Sequence, residues 1–105
     1  GMYWNMNVVC ESVGNPAAVL IRALEPVENI HARTQGPGLL CRAMDITKTR
    51  YGWDLLSDDL FICEPAENKP FKIIRAKRIG VDYAGSWARR LLRFYVKGNN
   101  YVSKK

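Results

Sequence analysis

A period-two alternation near the start of the chain limits its fold more than any other feature. Across Met2–Cys10, Trp4, Met6 and Val8 fall on one side, and Tyr3, Asn5, Asn7 and Val9 on the other. That is the pattern of a strand with two unlike faces. Val13-Gly14-Asn15-Pro16 follows, and its glycine and asparagine tolerate the positive φ of a tight turn. Ala17–Leu24, AAVLIRAL, then resumes the apolar content. Two such runs across one turn predict an antiparallel hairpin. The apolar face carried by Trp4, Met6 and Val8 must be buried under another layer.

The rest of the chain reads as short elements separated by Gly and Pro. Pro26 is placed to open a helix, PVENIHAR, that ends near Arg33; its missing N–H is not needed in a first turn. TQGPGLL interrupts the pattern, and a second helix is expected from Leu39 to Met44. A polar stretch starts at Asp45, and a turn is expected within YGWDLL, Tyr51–Leu56. Asp59–Cys63 reads as a short buried strand, Pro65–Pro70 as a loop, and Phe71–Val81 as a strand punctuated by Lys72, Arg75, Lys77 and Arg78. Tyr83–Arg90 predicts a short helix, and LRFYVKG a strand ending at Gly98. Asn99 and Asn100 turn the chain toward Tyr101-Val102-Ser103. There is no internal repeat, low-complexity tract or long linker. The expectation is one domain, residues 1–105, of the α+β class, with a mainly antiparallel sheet and short helices.

Size and composition exclude several classes. A chain of 105 residues suits one domain with a modest core, and 48% apolar with 25% charged residues argues against disorder. No apolar run reaches the roughly 18 residues of a membrane-spanning helix, and no charged leader with an apolar block marks a secretory signal. The three cysteines, Cys10, Cys41 and Cys63, are odd in number, far apart and without a CxxC pair. They predict neither a disulfide framework nor a zinc site. No metal or cofactor is expected, and reduced thiols suit a cytoplasmic compartment, or a nuclear one in a eukaryote. Ser12, Ser57, Ser86 and Ser103 have only His31 as a base, which disfavours a nucleophilic triad. The formal charge of +6 and pI near 9.5 favour anionic partners, above all nucleic acid. A basic surface with no special partner accounts for the same numbers.

Four sets of residues could carry chemistry, each with two readings. Arg22 lies among Leu, Ile and Ala, on the side of Ala18, Leu20 and Leu24. Either its stem packs while its head reaches the rim, or it is a fixed cation that holds water, carboxylate or phosphate. Tyr3, Asn5 and Asn7 form either an exposed strand face or a pocket floor that reads hydrogen-bonding edges. Thr34–Arg42, TQGPGLLCR, is a plain turn or a loop that presents backbone N–H groups to phosphate, although it lacks the P-loop spacing. Lys72–Arg78 and Arg89-Arg90 are a solvated face or a track for a DNA backbone.

Taken together, GMYWNMN, VLIRALEP, GPG with LLC, DITK, RIGVDYAGSWA and LRFYVKGNNYVS resemble the alkyladenine (3-methyladenine) DNA glycosylase family. The pieces occur in the family's order over nearly the whole chain. RALEP and the RIG-to-LRFYVKG run are the most specific. The resemblance implies a curved antiparallel sheet with short helices. It implies a base-excision repair enzyme that flips an alkylated or deaminated purine out of duplex DNA and hydrolyses its N-glycosidic bond without metal or organic cofactor. By the same resemblance Asn7 lies in the base pocket and disfavours guanine's exocyclic amino group. Arg22 of RALEP helps hold the attacking water, and Leu20 sits near the flipped nucleotide. Gly36 and Gly38 flank a phosphate-contacting turn, and Lys48 of DITK is a further backbone contact. Gly38 and Leu39 stand where the family more often has polar residues.

The family's water-activating glutamate, base-sandwiching aromatics and wedge tyrosine precede GMY, and neither Glu11 nor Glu25 matches that glutamate by position. The expectation is therefore that this polypeptide alone has little or no glycosylase activity. Gly1 reads either as the motif's own glycine or as a residue added before Met2. Two further expectations follow. One is self-association, for instance as a dimer, covering sheet surface around Trp4, Met6 and Val8. The other is an alternative role as a non-catalytic DNA-binding or structural relative.

Overall fold

A computed structural model of the chain describes residues 4–102. Gly1, Met2, Tyr3 and Ser103 lie outside the described residues, and with them the start of the first predicted strand. The described chain forms two compact units, one of residues 4–64 with 100–102 and the other Pro65–Asn99. The order is β1 (Asn7–Val9), β2 (Ala18–Leu20), α1 (Pro37–Ala43), a 3-10 turn (Lys48–Arg50), β3 (Ile73–Ala76), a 3-10 segment (Asp82–Arg89) and β4 (Arg93–Val96). The class is α+β, with antiparallel pairing in two two-stranded sheets, β1–β2 and β3–β4. Among the described residues no helix is long and apolar enough to cross a membrane.

The first hairpin follows the alternation. Asn7 pairs with Leu20, Val8 with Val19 and Val9 with Ala18. The Cys10 N–H to Ala17 carbonyl bond, 3.3 Å, closes it toward the turn. In the turn the Asn15 N–H donates to the Ser12 carbonyl, 3.0 Å, and Gly14 takes φ 90°, a conformation that favours glycine. Met6 and Val8 are half-buried, whereas Asn5, Asn7 and Val9 are exposed. Trp4 departs from the pattern and is 53% exposed.

α1 begins two residues before the expected helix, because Pro37 occupies its first turn. It brings Leu40, 0% exposed, and Cys41 into the core, joined by Ile46 from the following loop. Met6, Ile21, Leu24 and Leu60 pack against this trio, so α1 fastens both strands of the first hairpin. The Cys41 thiol sits against the Met6 backbone; burial pushes its pKa above the ordinary value of 9.0, and the Met6 hydrogen bond only partly opposes this. A pKa higher in the folded state means that the folded chain holds its proton where the unfolded chain has lost it. Stability from this group is complete below pH 9.0 and falls as pH rises above it. Denaturation midpoints measured across pH 8–11 are expected to decline more steeply in the native chain than in Cys41→Ala, and parallel curves would contradict this.

Three expected elements differ from the structure. Pro26–Arg33 is not a helix: it runs as an irregular loop with Asn29 at φ 58°. Eight residues are too few to nucleate a helix without a face to bury, and Val27 is fully out in solvent. The loop is instead closed by Thr34, whose buried hydroxyl donates to the Leu24 carbonyl while the Leu24 N–H donates to the Thr34 carbonyl. Asp59–Cys63 is not a buried strand. It contributes one bridge, Leu56 to Phe61, with Phe61 and Ile62 both more than half exposed. Asp59 is drawn aside by Arg50, and the Asp54 carboxylate accepts the Leu56 N–H in a turn. Tyr83–Arg90 is 3-10 rather than α, broken where Gly85 adopts φ 62°.

The second unit is a hairpin of its own. Ile73 pairs with Val96, Ile74 with Tyr95, Arg75 with Phe94 and Ala76 with Arg93. The predicted strands here, Phe71–Val81 and LRFYVKG, are found as β3 and β4 in their middle portions.

Candidate functional site: the first hairpin and its groove

Strand alternation and register together define one polar face. Asn7 stands opposite Leu20. The Ile21 N–H donates to the Met6 carbonyl at 3.0 Å, which carries the pairing one step past β2 and aligns Arg22 with Asn5. Because side chains alternate, this register groups Asn5 and Asn7 with Leu20 and Arg22. Arg22 is half-buried and has no ion pair among the described residues. The guanidinium has its donors uncommitted to any carboxylate of the described residues.

A groove of about 780 Å³ runs along β1. Asn5 and Asn7 line it from the strand, and Lys48, Arg50, Trp53 and Asp54 from the segment after α1. That segment is held stiffly. Arg50 pairs with Asp59 at 2.7 Å while its guanidinium lies over the Trp53 ring, 4.2 Å from the centroid. Trp53 in turn donates from Nε1 to the Leu60 carbonyl at 3.0 Å, and the Ser57 hydroxyl donates to the same carbonyl at 3.1 Å. Gly52 takes φ 71° in the turn expected within Tyr51–Leu56. Lys48 is exposed, whereas Arg50 is partly neutralised by Asp59.

The candidate residues thus divide into three places. Asn7 and Lys48 line one groove. Leu20 and Arg22 belong to the adjoining strand and its extension, outside the groove's walls. Gly36 precedes α1 and Gly38 lies in its first turn, and neither lines the groove. Gly36 is buried with extended backbone, and a Cβ there would meet the Leu39 side chain at 3.5 Å, an ordinary contact. The Arg50–Trp53–Asp59 wall is a feature that sequence reasoning misses. Its signal there, an arginine three residues before a tryptophan in a turn, is too common to single out. Among the described residues no three His, Cys, Asp or Glu side chains gather as a metal site requires, and Cys10, Cys41 and Cys63 are all free thiols.

The first hairpin thus sets two amides and a cation on one face of a basic α+β chain. The sequence comparisons make the class specific. The model of the methylpurine-DNA glycosylase family matches residues 1–100, and the chain belongs to that family. It is 58% identical over 104 residues to a Legionella pneumophila (strain Corby) protein provisionally named a 3-methyladenine DNA glycosylase; the match covers 99% of this chain and 57% of that protein. Proteins of the same provisional name from Anaeromyxobacter sp. (strain Fw109-5) and Clostridium novyi (strain NT) are 50% identical over 100 residues and 42% over 125. They are covered to 51% and 61% of their lengths, by 94% and 100% of this chain. The chain thus spans about half to three-fifths of the curated relatives it matches.

Proposed function

We propose that this chain supplies one wall of the base pocket of a purine-directed DNA glycosylase acting in base-excision repair. The observation that carries the reading is the register that sets Asn7 against Leu20, with Arg22 one pair further along the same side. In this proposal an alkylated or deaminated purine is flipped from duplex DNA, Asn7 reads its edge and Leu20 packs beside the flipped nucleotide. Enzymes that act on a base read the everted ring by edge hydrogen bonds and stacking. Water then attacks the sugar carbon as the glycosidic bond to the purine breaks, and Arg22 donates hydrogen bonds that fix that water. Neither metal nor organic cofactor takes part, and the bacterial relatives favour a cytoplasmic setting.

Gly36, Gly38 and Lys48 are proposed as backbone contacts. In support, the first helical N–H to find a partner belongs to Leu40, which donates to the Gly36 carbonyl at 2.9 Å. The N–H groups of Gly38 and Leu39 before it have no helical acceptor. Lys48 is exposed at the rim of the β1 groove.

The guanidinium has no acceptor site and stays charged, so Arg22 cannot take the water's proton. With no carboxylate of the described residues paired to it, the 105-residue polypeptide by itself is proposed to turn over little. Base discrimination is the direct test of the pocket. The chain is expected to bind a duplex carrying hypoxanthine more tightly than the same duplex carrying guanine, and Asn7→Ala to erase the difference. Equal affinities in the native chain would count against the pocket.

Self-association is a second proposal. Only Leu40, Cys41 and Ile46 are buried apolar side chains among the described residues, while Trp4, Phe61 and Ile62 of the same unit are more than half exposed. Burying them between two copies is worth roughly 25 cal/mol per Å² of apolar surface removed from water. Sedimentation at micromolar concentration is expected to give a dimer, and a monomer throughout would exclude it.

A further inference from the structure

The charge of this protein is not spread evenly. Pro65–Asn99 holds nine Lys and Arg against two acidic residues, a net +7, while the other 70 residues hold seven against eight, a net −1. All of the chain's excess positive charge therefore belongs to the second unit and none to the unit that holds the first hairpin. The β3–β4 register shows how part of it is displayed. Arg75 stands opposite Phe94, with its guanidinium 5.6 Å from the ring centroid. Ile73 shares their face by alternation, and Ile73 and Phe94 are 58% and 57% exposed. Lys72 and Lys97 are joined at the strand ends by a 2.8 Å backbone bond and are exposed, but by the same alternation they fall on the opposite face, with Ile74 and Tyr95. The arginine-on-aromatic pairing recurs in the same unit, where Arg90 lies 4.1 Å over exposed Trp87.

We infer that this face of the second hairpin binds single-stranded nucleic acid, irrespective of damage. Cations alone would suit any polyanion. Exposed aromatic and aliphatic side chains beside Arg75 add something only for a partner with free ring faces. Base-on-aromatic stacking beside backbone cations is how sequence-tolerant single-strand surfaces work. A duplex keeps its bases stacked on each other and offers this face only phosphates. The inference takes nucleic acid as partner from the family reading, but it makes no use of Asn7 or Arg22.

The test uses the full 105-residue chain and fluorescence anisotropy with a labelled 12-nucleotide oligothymidine and an undamaged 12-base-pair duplex, from 25 to 200 mM salt. The native chain is expected to prefer the oligothymidine. Phe94→Ala is expected to weaken that binding about five- to hundredfold, the span for removing the ring under one stacked base. Arg75→Glu is expected to lower the steepness of the salt dependence by roughly 0.7, the contribution of one single-strand phosphate that is no longer neutralised. Arg42→Glu, an exposed charge change on α1, is expected to do less than Arg75→Glu. Circular dichroism checks that each variant is folded, and the comparison of strand with duplex needs no variant. Preference for the duplex, no binding at the lowest salt, or indifference to Phe94→Ala and to Arg75→Glu would each overturn the inference. These outcomes are separable from failure of the base pocket. Oligothymidine binding that needs Arg75, without any Asn7-dependent choice of base, sinks the pocket alone. The converse sinks this inference alone.

Discussion

Leu40→Ala is expected to destabilise the first unit by about 2–5 kcal/mol, the range for removing a buried leucine side chain. Leu40 has no exposed surface and sits where α1 meets Met6 just before the first strand, Ile21 and Leu24 beyond the second, and Leu60 of the following loop. Deleting its three outer carbons leaves a void that those four neighbours, on separate segments, cannot close together. Domains are stable by only about 5–15 kcal/mol, and a core of three buried apolar residues among those described places this one toward the lower end. A large unfolded fraction at room temperature is the expected result. Denaturant titration followed by circular dichroism measures it. Val27→Ala, on a side chain out in solvent, is the comparison and should change stability by no more than about 0.5 kcal/mol. Equal effects of the two substitutions would mean that the core does not lie where α1 puts it.

The second large effect concerns chemistry. A duplex carrying hypoxanthine or an alkylated adenine is expected to come through incubation with the 105-residue chain uncleaved at the glycosidic bond. Arg22 can hold water, but its guanidinium remains protonated and cannot accept the proton that leaves as the water attacks. Proton transfer by a positioned side chain is worth typically about 10²–10⁴-fold, and Arg22 has no carboxylate partner among the described residues. Set beside an active full-length member of the family, the chain should be slower by at least that factor. Release of free hypoxanthine at a comparable rate would show that the polypeptide carries its own base, and the assignment of Arg22 would have to be rebuilt around it.

What is legible in the sequence is local. The Trp4–Val8 alternation leads to β1, and its pairing with β2 follows from the Gly14–Asn15 turn, because both signals act over a few residues. Gly52, in the turn expected within Tyr51–Leu56, belongs to the same short-range physics, whereas the second helix is expected only from Leu39 and Pro37 opens it two residues earlier. Legibility ends where tertiary contact decides. Pro26–Arg33 carries a reasonable helix start, yet it gives no face to the core and is taken up by the Thr34 clasp. Asp59–Cys63 is apolar enough for a buried strand, yet Arg50 captures Asp59 and leaves Phe61 and Ile62 outside. The site follows the same division. Asn7 and Arg22 stand out as polar residues in apolar strands, whereas the Arg50–Trp53–Asp59 wall rests on contacts between residues that look ordinary one by one. The segregation of charge into Pro65–Asn99 is invisible until the units are known, since the whole-chain value averages +7 with −1.

The central claim is that the first hairpin's amide-and-guanidinium face receives a damaged purine. Backbone and side-chain amide chemical shifts of the labelled chain, titrated with a hypoxanthine duplex and then with the same duplex carrying guanine, test it most directly. The largest differences between the two titrations are predicted at Asn7, Leu20 and Arg22. Identical shifts at those three residues with both duplexes, and base-dependent shifts confined elsewhere, would contradict it.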